Sequence, residues 1–493
     1  MKMNTTKLLS HIFNARQKEI ALYGKYGSNI QTDQLKKLLK AAKNTELGQK
    51  LHFSNISSYS QYSEQVPLIT YEELKPYVKR LQKGETNLIW PSKIRWFAKS
   101  SGTTNDKSKF IPVSYEAMQE CHYRGGKDCV ALYLQMNPES RFFSGKGLIL
   151  GGSHNVSSLS AHCYCGDLSA VLIQNISPLI NMIRVPSKKI ALMSEWESKL
   201  EAICQSTMHS HVTNLSGVPS WFLVLIKLML KKSGKTYLTE IWPDLEVFFH
   251  GGISFDPYRT QYEELIPSAK MHYVETYNAS EGFFAVQNEP TPGMLLMLDL
   301  GIFYEFIPLE EVNNEHPRTL PIWDVEKGKN YALVITTNSG LWRYQTGDTV
   351  KIVSTKHFIN AFGEELMVDN AEKGLAKACS ETGAVVSNYT AAPVYMSEKN
   401  RGRHQWLIEF EKMPPSLDNF ASTLDCALQA LNSDYEAKRY KGIALDRLEV
   451  IVARKGLFHD WLKEKGKLGG QHKVPRLSNQ RENIEEMLSM NHE

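Results

Sequence analysis

Short apolar runs that end in glycine or polar residues recur along this chain, and stretches with helical spacing separate them. The runs and their endings are Gly147–Leu150 before Gly151-Gly152, Leu245–Phe249 before His250-Gly251-Gly252, and Met271–Glu275 before Tyr277–Gly282. Glu195–Gln205 and Ser220–Lys231 have the helical pattern. Strands that alternate with helices predict an α/β architecture in which each strand is followed by a tight loop.

The length of 493 residues is too great for one hydrophobic core, so we expect two to three domains. A strand-rich stretch with mixed sheets and a barrel-like annex is predicted to complete a large N-terminal domain, residues 1–358. Its predicted strands are Met294–Asp299, Ile302–Ile307, Tyr331–Thr337 and Thr349–Val353. Residues 359–493 contain both predicted strands and predicted helices and have the length of an ordinary domain. They are predicted to form a smaller α+β C-terminal domain.

Composition excludes several classes of protein. A net charge of +4 gives no electrostatic basis for nucleic-acid binding. Seven cysteines, an odd number, indicate reduced thiols rather than a disulfide framework. The most apolar run, Trp221–Leu230, is too short to span a bilayer and predicts a buried helix. No signal peptide is evident, so we expect a cytoplasmic protein. We expect it to bind neither a membrane nor an obligate protein partner.

The strongest local signal is a loop rich in serine, threonine and glycine that follows the apolar run Ile94–Ala98. Hydroxyls and backbone N–H groups of such a loop can surround phosphate oxygens, and lysines supply charge. Its candidate ATP-binding residues are Ser100, Ser101, Gly102, Thr103, Thr104 and Lys109. The segment is not a Walker loop, because the G-x-x-x-x-G-K-[ST] pattern is absent. A solvated turn is an equally weighted alternative.

Three further segments carry polar groups that suit a nucleotide. In Tyr277–Gly282, Glu281 can hold Mg²⁺ and Ser280 can contact phosphate, or the segment is an ordinary β-turn. In Leu341–Asp348, Asp348 at the end of a loop can accept both ribose hydroxyls, or Arg343 and an aspartate form an ion pair in a hairpin. In Gly470–Arg476, Lys473 can reach a phosphate, or the loop is solvated.

The order of these four segments resembles the Gretchen Hagen family of auxin-responsive acyl acid amido synthetases, within the acyl-adenylate-forming superfamily. The chain lacks plant-specific insertions and in this respect is more similar to the bacterial branch of the family. The resemblance implies ATP as substrate, Mg²⁺ on Glu281, ribose on Asp348, and Lys473 arriving from a mobile small domain that rotates near Phe358–Glu364. It also implies that a further group lines the adenine and the acyl carboxylate: Gly251, Gly252, Ile253, Tyr277, Asn278 and Ala279. The family often has glycine where this chain has Asp106, which leaves the role of Asn105-Asp106 open.

The activity expected from this pattern is the conjugation of a small carboxylic acid to an amine. A carboxylate is a poor electrophile, and attack on the ATP α-phosphorus converts it to an acyl-adenylate with AMP as leaving group. Lys473 and Glu281 are the expected catalytic residues, because positioning and electrostatics suffice for this chemistry. The alternatives are a thioester-forming acyl-CoA synthetase and a catalytically silent binding protein of the same fold. Trp221, Phe222, Phe255 and Tyr258 either line an acyl pocket or belong to the core.

Overall fold

The computed structural model divides the chain into two compact units. One contains Met1–Ile253 and Ile266–Glu364, and the other contains Ser254–Leu265 and Glu365–Glu493. This division puts residues 358–363 in the larger unit and 254–265 in the smaller one. The structure describes residues 5–100, 109–152, 157–160, 163–252, 255, 258–289, 293–312, 314–354, 358–363, 366–394, 403–431, 446–466, 474–477 and 481–491.

Helices and strands alternate through most of the chain. The α-helices are α1 (Thr5–Ser10), α2 (Asn14–Ala21), α3 (Tyr23–Ala42), α4 (Glu46–Lys50), α5 (Tyr59–Gln65), α6 (Tyr71–Gln82), α7 (Tyr123–Met136), α8 (Leu168–Asn175), α9 (Pro178–Met182), α10 (Lys188–Ala191), α11 (Trp196–Thr207), α12 (Pro219–Ser233), α13 (Arg259–Leu265), α14 (Leu366–Thr382), α15 (Leu417–Leu431), α16 (Leu457–Glu464) and α17 (Glu482–Asn491). The strands are β1 (Trp96–Ser100), β2 (Lys109–Val113), β3 (Lys146–Leu150), β4 (Ser157–Ser160), β5 (Cys163–Gly166), β6 (Arg184–Val185), β7 (Val212–Gly217), β8 (Val247–Gly251), β9 (His272–Ala279), β10 (Gly282–Val286), β11 (Met294–Leu296), β12 (Ile302–Pro308), β13 (Leu320–Pro321), β14 (Asn330–Thr337), β15 (Tyr344–Ser354), β16 (Phe358–Gly363), β17 (Val385–Val394), β18 (Arg403–Lys412) and β19 (Glu449–Ala453).

The larger unit is built on one long mixed sheet. Its strand order is β13-β12-β14-β15-β16-β11-β10-β9-β8-β7-β3-β6. The strands β6, β3, β7, β8 and β9 run parallel, and β10 turns back antiparallel to β9. The strand-rich stretch from β11 to β16 is continuous with these parallel strands. In open α/β sheets the ligand lies at the carboxyl ends of the parallel strands, which here include the ends of β3, β7, β8 and β9.

A second sheet of the larger unit carries the strands beside the predicted phosphate loop. Its order is β2-β1-β5-β4, and β1 pairs antiparallel with β2 from Trp96 opposite Val113 to Ser100 opposite Lys109. Directly after β2, the backbone N–H of Ser114 donates to the Ser339 hydroxyl at 2.9 Å. The Ser114 hydroxyl donates to the Asn338 carbonyl at 2.7 Å. These bonds attach the sheet to the segment between β14 and β15.

The smaller unit has a three-stranded sheet, β17-β18-β19, covered by α14 and α15. The guanidinium of Arg476 is anchored beside β17: it donates to the Asn388 side chain and, at 2.5 Å, to the Tyr258 hydroxyl. It also lies 4.7 Å from the centroid of the Tyr389 ring. Tyr258 comes from the segment 254–265, so this contact is internal to the smaller unit.

Two sequence predictions about loops were wrong, for one reason. Tyr277–Ala279 are not loop residues, because β9 continues to Ala279 and pairs there with Gly282 of β10. Asp348 likewise lies within β15 and not at the end of a loop. Both segments are rich in polar residues, so the apolar pattern from which strands are recognised stops before the strand does.

Two further sequence predictions, the buried helix and the reduced cysteines, were confirmed. The run Trp221–Leu230 lies in α12, which buries Phe222, Leu225, Ile226 and Met229 among others. All seven cysteines are free thiols. Within the described ranges, no helix has the length and apolar character needed to cross a membrane.

Candidate functional site

The ends of β8 and β9 bring one glycine turn and one hairpin together. Gly251 at the end of β8 pairs with Thr276 of β9, so Gly252 follows beside Tyr277. A Cβ atom on Gly251 would lie 2.3 Å from the Thr276 carbonyl oxygen, which excludes any larger residue. Gly252 has φ +81°, a left-handed conformation that glycine adopts without strain. The tight turn predicted after β8 therefore begins at Gly251-Gly252, where close packing and a left-handed backbone both favour glycine.

Tyr277 and Asp348, predicted separately from segments far apart in the chain, are in direct contact. The Tyr277 hydroxyl donates a hydrogen bond to the Asp348 carboxylate. Burial, followed by the charges of Asp348 and Glu281, raises the pKa of Tyr277 well above its ordinary value, so the phenol stays neutral and donates. Gly347, with φ +89°, bends β15 beside Asp348. The structure thus brings two predicted nucleotide contacts together.

Ser280 and Glu281 form the two-residue turn between β9 and β10. Ala279 pairs with Gly282 across the hairpin, which leaves these two residues at its tip. A Cβ atom on Gly282 would lie 2.6 Å from the Ile302 side chain, so the hairpin packs closely at this glycine. Ser280 is buried, and the charge of Glu281 acts on Tyr277 in the same hairpin. The hydroxyl and the carboxylate are therefore held near the Tyr277–Asp348 pair.

The structure adds a residue that the sequence analysis missed, His122. Its Nδ1 lies 3.3 Å from Oδ1 of Asn278, and because a carbonyl oxygen only accepts, Nδ1 is assigned as the protonated nitrogen. Burial lowers the pKa of His122 to about 4, so the ring is neutral at pH 7. His122 ends a π-helix, Ala117–His122, a geometry that is frequent at functional sites. No periodicity links two residues separated by 156 positions, so only the fold reveals the contact.

Arg343 has a structural part in the third motif. Its guanidinium pairs with Glu305 at 3.0 Å, and both side chains are almost fully buried. It also donates to the carbonyls of Ser63 and Val66, each at 2.7 Å. The alternative of an Arg–Asp ion pair in a hairpin is therefore wrong, because the partner of Arg343 is a glutamate on β12. Arg343 instead fixes the start of the strand that carries Asp348.

Several predicted site residues lie outside the described residues: Ser101, Gly102, Thr103, Thr104, Ile253 and Lys473, as well as Asn105 and Asp106. Ser100 and Lys109, which flank the predicted phosphate loop, are cross-strand partners at the end of the β1–β2 hairpin. Their strands belong to the second sheet of the larger unit, and Tyr277 and Asp348 belong to the long mixed sheet.

A magnesium ion is compatible with this donor set. Within the described part of the chain, no group of three or more histidine, cysteine, aspartate or glutamate side chains could hold a metal by itself. Mg²⁺ commonly takes one or two carboxylates and completes its shell with water and substrate phosphates. A single carboxylate, that of Glu281 beside the Ser280 hydroxyl, fits this kind of site.

The aromatic residues considered for an acyl pocket are divided between the two units. Phe222 is fully buried and its ring centroid lies 5.0 Å from that of Phe248, as expected for core. Phe255 packs on Tyr262 at 5.2 Å in the smaller unit, where Tyr258 also lies. The core alternative therefore holds for Phe222.

Comparison with known proteins identifies relatives of the whole chain. The chain matches the GH3 family N-terminal domain over residues 16–271, the central domain over 295–360 and the C-terminal domain over 369–482. It is 23% identical to "Indole-3-acetic acid-amido synthetase GH3.3" of Arabidopsis thaliana, with 91% of this chain and 89% of that protein covered. It is 24% identical to "Jasmonoyl--L-amino acid synthetase GH3.5" of Oryza sativa subsp. japonica, with 94% of each covered.

Two solved structures share the fold. The AtGH3.15 acyl acid amido synthetase in complex with 2,4-DB has a TM-score of 0.80 and 18% identity, and the similarity covers 97% of this chain and 96% of that chain. A 2-hydroxyisobutyryl-CoA ligase in the postadenylation state has a TM-score of 0.58 and 11% identity, with 94% and 91% covered. The match of the three domains, in chain order and together over most of the sequence, identifies this chain as a member of the GH3 family.

Proposed function

We propose that this protein is an ATP-dependent amido synthetase that activates a small carboxylic acid as its acyl-adenylate and conjugates it to an amino acid or another amine. The observation that carries the proposal is the contact between Tyr277 and Asp348, which joins two predicted nucleotide segments in a chain of the GH3 family. Curated relatives of this chain bear the names of acid–amino acid ligases, which supports the same reaction class.

In the first half-reaction, a carboxylate oxygen of the acid attacks the α-phosphorus of ATP, and the bond to pyrophosphate breaks. Asp348 holds the ribose hydroxyls, because one carboxylate offers two acceptor oxygens. Tyr277 orients that carboxylate through its hydrogen bond. Ser280 contacts the α-phosphate, and the loop between Ser100 and Lys109 surrounds the remaining phosphates.

Mg²⁺ would be held by Glu281 and would offset the charge that develops on the phosphate oxygens. The remaining contribution of the protein is orientation. The β9–β10 hairpin holds the consecutive residues Ser280 and Glu281 in its two-residue turn, since Ala279 and Gly282 are paired on either side. A preorganised carboxylate needs no rearrangement when the charge forms.

In the second half-reaction, the amine attacks the carbonyl carbon of the acyl-adenylate, and AMP leaves with the bridging oxygen. Lys473 serves the adenylation step from the small C-terminal domain, which rotates about the segment near Phe358–Glu364. A thiol acceptor would give a thioester by the same route, so the nature of the acceptor separates an amido synthetase from an acyl-CoA synthetase.

The test is a pyrophosphate-release screen of the full-length protein with carboxylic acids, each combined with amino acids or with coenzyme A. We expect release that depends on both an acid and an amino acid, with the amide as product. Release with coenzyme A and not with amino acids would assign thioester formation. No acid-dependent release with any combination, under conditions where the protein is folded, would favour a silent binding protein.

A further inference from the structure

A buried lysine lies next to the glycine turn that ends β3. Lys199 of α11 is fully buried, and its ammonium group donates to two consecutive backbone carbonyls, at 2.9 Å to Gly151 and at 2.6 Å to Gly152. Neither carbonyl belongs to a helix, so the bonds do not maintain α11 itself. They fix the backbone at the point where β3 leaves the sheet.

The position of this lysine is unfavourable for a charge. Burial lowers the pKa of Lys199 to about 8, although the Asp167 carboxylate acts in the opposite direction. Lys199 is also the fourth residue of α11, near the helix N-terminus, where the helix dipole disfavours a cation. A methionine would fill the same space without these costs. The stability of α11 therefore gives no reason for a lysine here.

The turn is held from a second side by α8. The backbone N–H of Gly152 donates to the Ser169 hydroxyl at 3.0 Å. A Cβ atom on Gly151 would lie 2.8 Å from the same hydroxyl oxygen, so the turn packs closely against Ser169. Lys199 and Ser169 thus clamp one peptide segment, through its carbonyls and its N–H respectively.

This turn lies on the edge of the sheet that carries the nucleotide site. Leu150 pairs with Gly217, Gly217 with His250, and Gly251 with Thr276, so the parallel strands end in register. With neighbouring strands about 4.8 Å apart, the end of β3 lies about 14 Å from β9. A ribose bound at Asp348 and Tyr277 would occupy the β9 end of this edge. The β3 end lies away from the ribose, where a substrate other than the nucleotide can bind.

We propose that Lys199 is a positioning residue for the carboxylic acid substrate: its ammonium group holds the Gly151-Gly152 turn, and this turn forms a rigid wall of the acid-binding side of the site. The inference rests on the proposed function for the identity of the ligand. The hydrogen bonds from Lys199 to Gly151 and Gly152 do not depend on the proposed function, because they are part of the folded chain.

The experiment compares Lys199→Met, Ser169→Ala, the double variant and Cys204→Ala in the full-length protein. Cys204→Ala is the matched control, because Cys204 is buried on the same helix. ATP–pyrophosphate exchange gives the KM values for acid and ATP, and hydrogen exchange gives the protection of the backbone at 146–152. Because charged hydrogen bonds to the turn are lost, we expect Lys199→Met to raise the acid KM by about 10-fold or more.

Three further results are expected. The ATP KM of Lys199→Met stays within about twofold of wild type, since a wall of the acid side does not contact the nucleotide. Exchange at 146–152 becomes faster in Lys199→Met and in Ser169→Ala but not in Cys204→Ala. The double variant raises the acid KM by less than the product of the two single effects, because both residues act on one turn.

Unchanged protection at 146–152 in Lys199→Met would overturn the clamp, and equal changes in the acid and ATP KM values would overturn its assignment to the acid. A wild-type protein without acid-dependent exchange would instead refute the proposed function. In that case the hydrogen-exchange comparison would still decide whether Lys199 holds the turn.

Discussion

Replacing Asp348 by asparagine tests the proposed ribose contact with a change of one atom. The Asp348 carboxylate accepts a hydrogen bond from Tyr277 and has to accept two more from the ribose hydroxyls. Asparagine offers one oxygen in place of two and carries no charge. At least one of these bonds is therefore lost or weakened. A hydrogen bond to a charged group contributes about 1.5–3 kcal/mol, so the KM for ATP should rise about 10- to 150-fold.

The assay is ATP–pyrophosphate exchange with the acid at saturation. The ribose contact is the same before and during the reaction, so kcat at saturating ATP should change by less than about threefold. Asp244→Asn is the control, because Asp244 bonds to His211 at 2.8 Å on an exposed surface of the same unit. An ATP KM within twofold of wild type for Asp348→Asn, or an equal rise in the control, would refute the ribose assignment.

Three further predictions concern the metal, the core and pH. Glu281→Gln should raise the Mg²⁺ concentration needed for half-maximal exchange by about 10-fold, since a neutral amide oxygen is a weaker ligand for Mg²⁺; an unchanged Mg²⁺ titration would contradict this role. Glu305→Gln should destabilise the larger unit by about 3–5 kcal/mol in denaturant unfolding, because it leaves the buried Arg343 charge without its counter-ion; a loss below about 1 kcal/mol would contradict it. His122 has its pKa lowered from 6.5 to about 4, so the unfolded chain binds more protons between these values, and stability should fall by about 3 kcal/mol as pH drops from 6.5 to 4. His122→Gln should remove this part of the pH dependence, and an unchanged slope would contradict the assignment.

Much of the fold follows from local pattern in the sequence. The predicted helical stretch Ser220–Lys231 lies within α12, and the predicted strand Gly147–Leu150 lies within β3. Apolar side chains of these segments are buried in the core, so the hydrophobic periodicity of the sequence predicts them directly. The family resemblance was confirmed by the match of the three GH3 domains in chain order.

The parts that the sequence did not predict are polar segments and buried ionisable residues. The extension of β9 through Tyr277 to Ala279 depends on pairing with β10, and no apolar pattern records it. The buried His122 and Lys199 are ionisable residues of helical segments, and their hydrogen-bond partners are distant in sequence. Their roles depend on three-dimensional contacts, which propensity and spacing do not encode.

The central claim is that this protein passes through an acyl-adenylate, and isotope transfer tests it most directly. The acid is supplied with both carboxylate oxygens as ¹⁸O, together with ATP, Mg²⁺ and the amino acid identified by the screen, and the products are analysed by mass spectrometry. Because the attacking carboxylate oxygen stays on phosphorus when the amine displaces AMP, one ¹⁸O should appear in AMP and one should remain in the amide. Label in inorganic phosphate with ADP as the nucleotide product, or unlabelled AMP formed with the amide, would contradict the account.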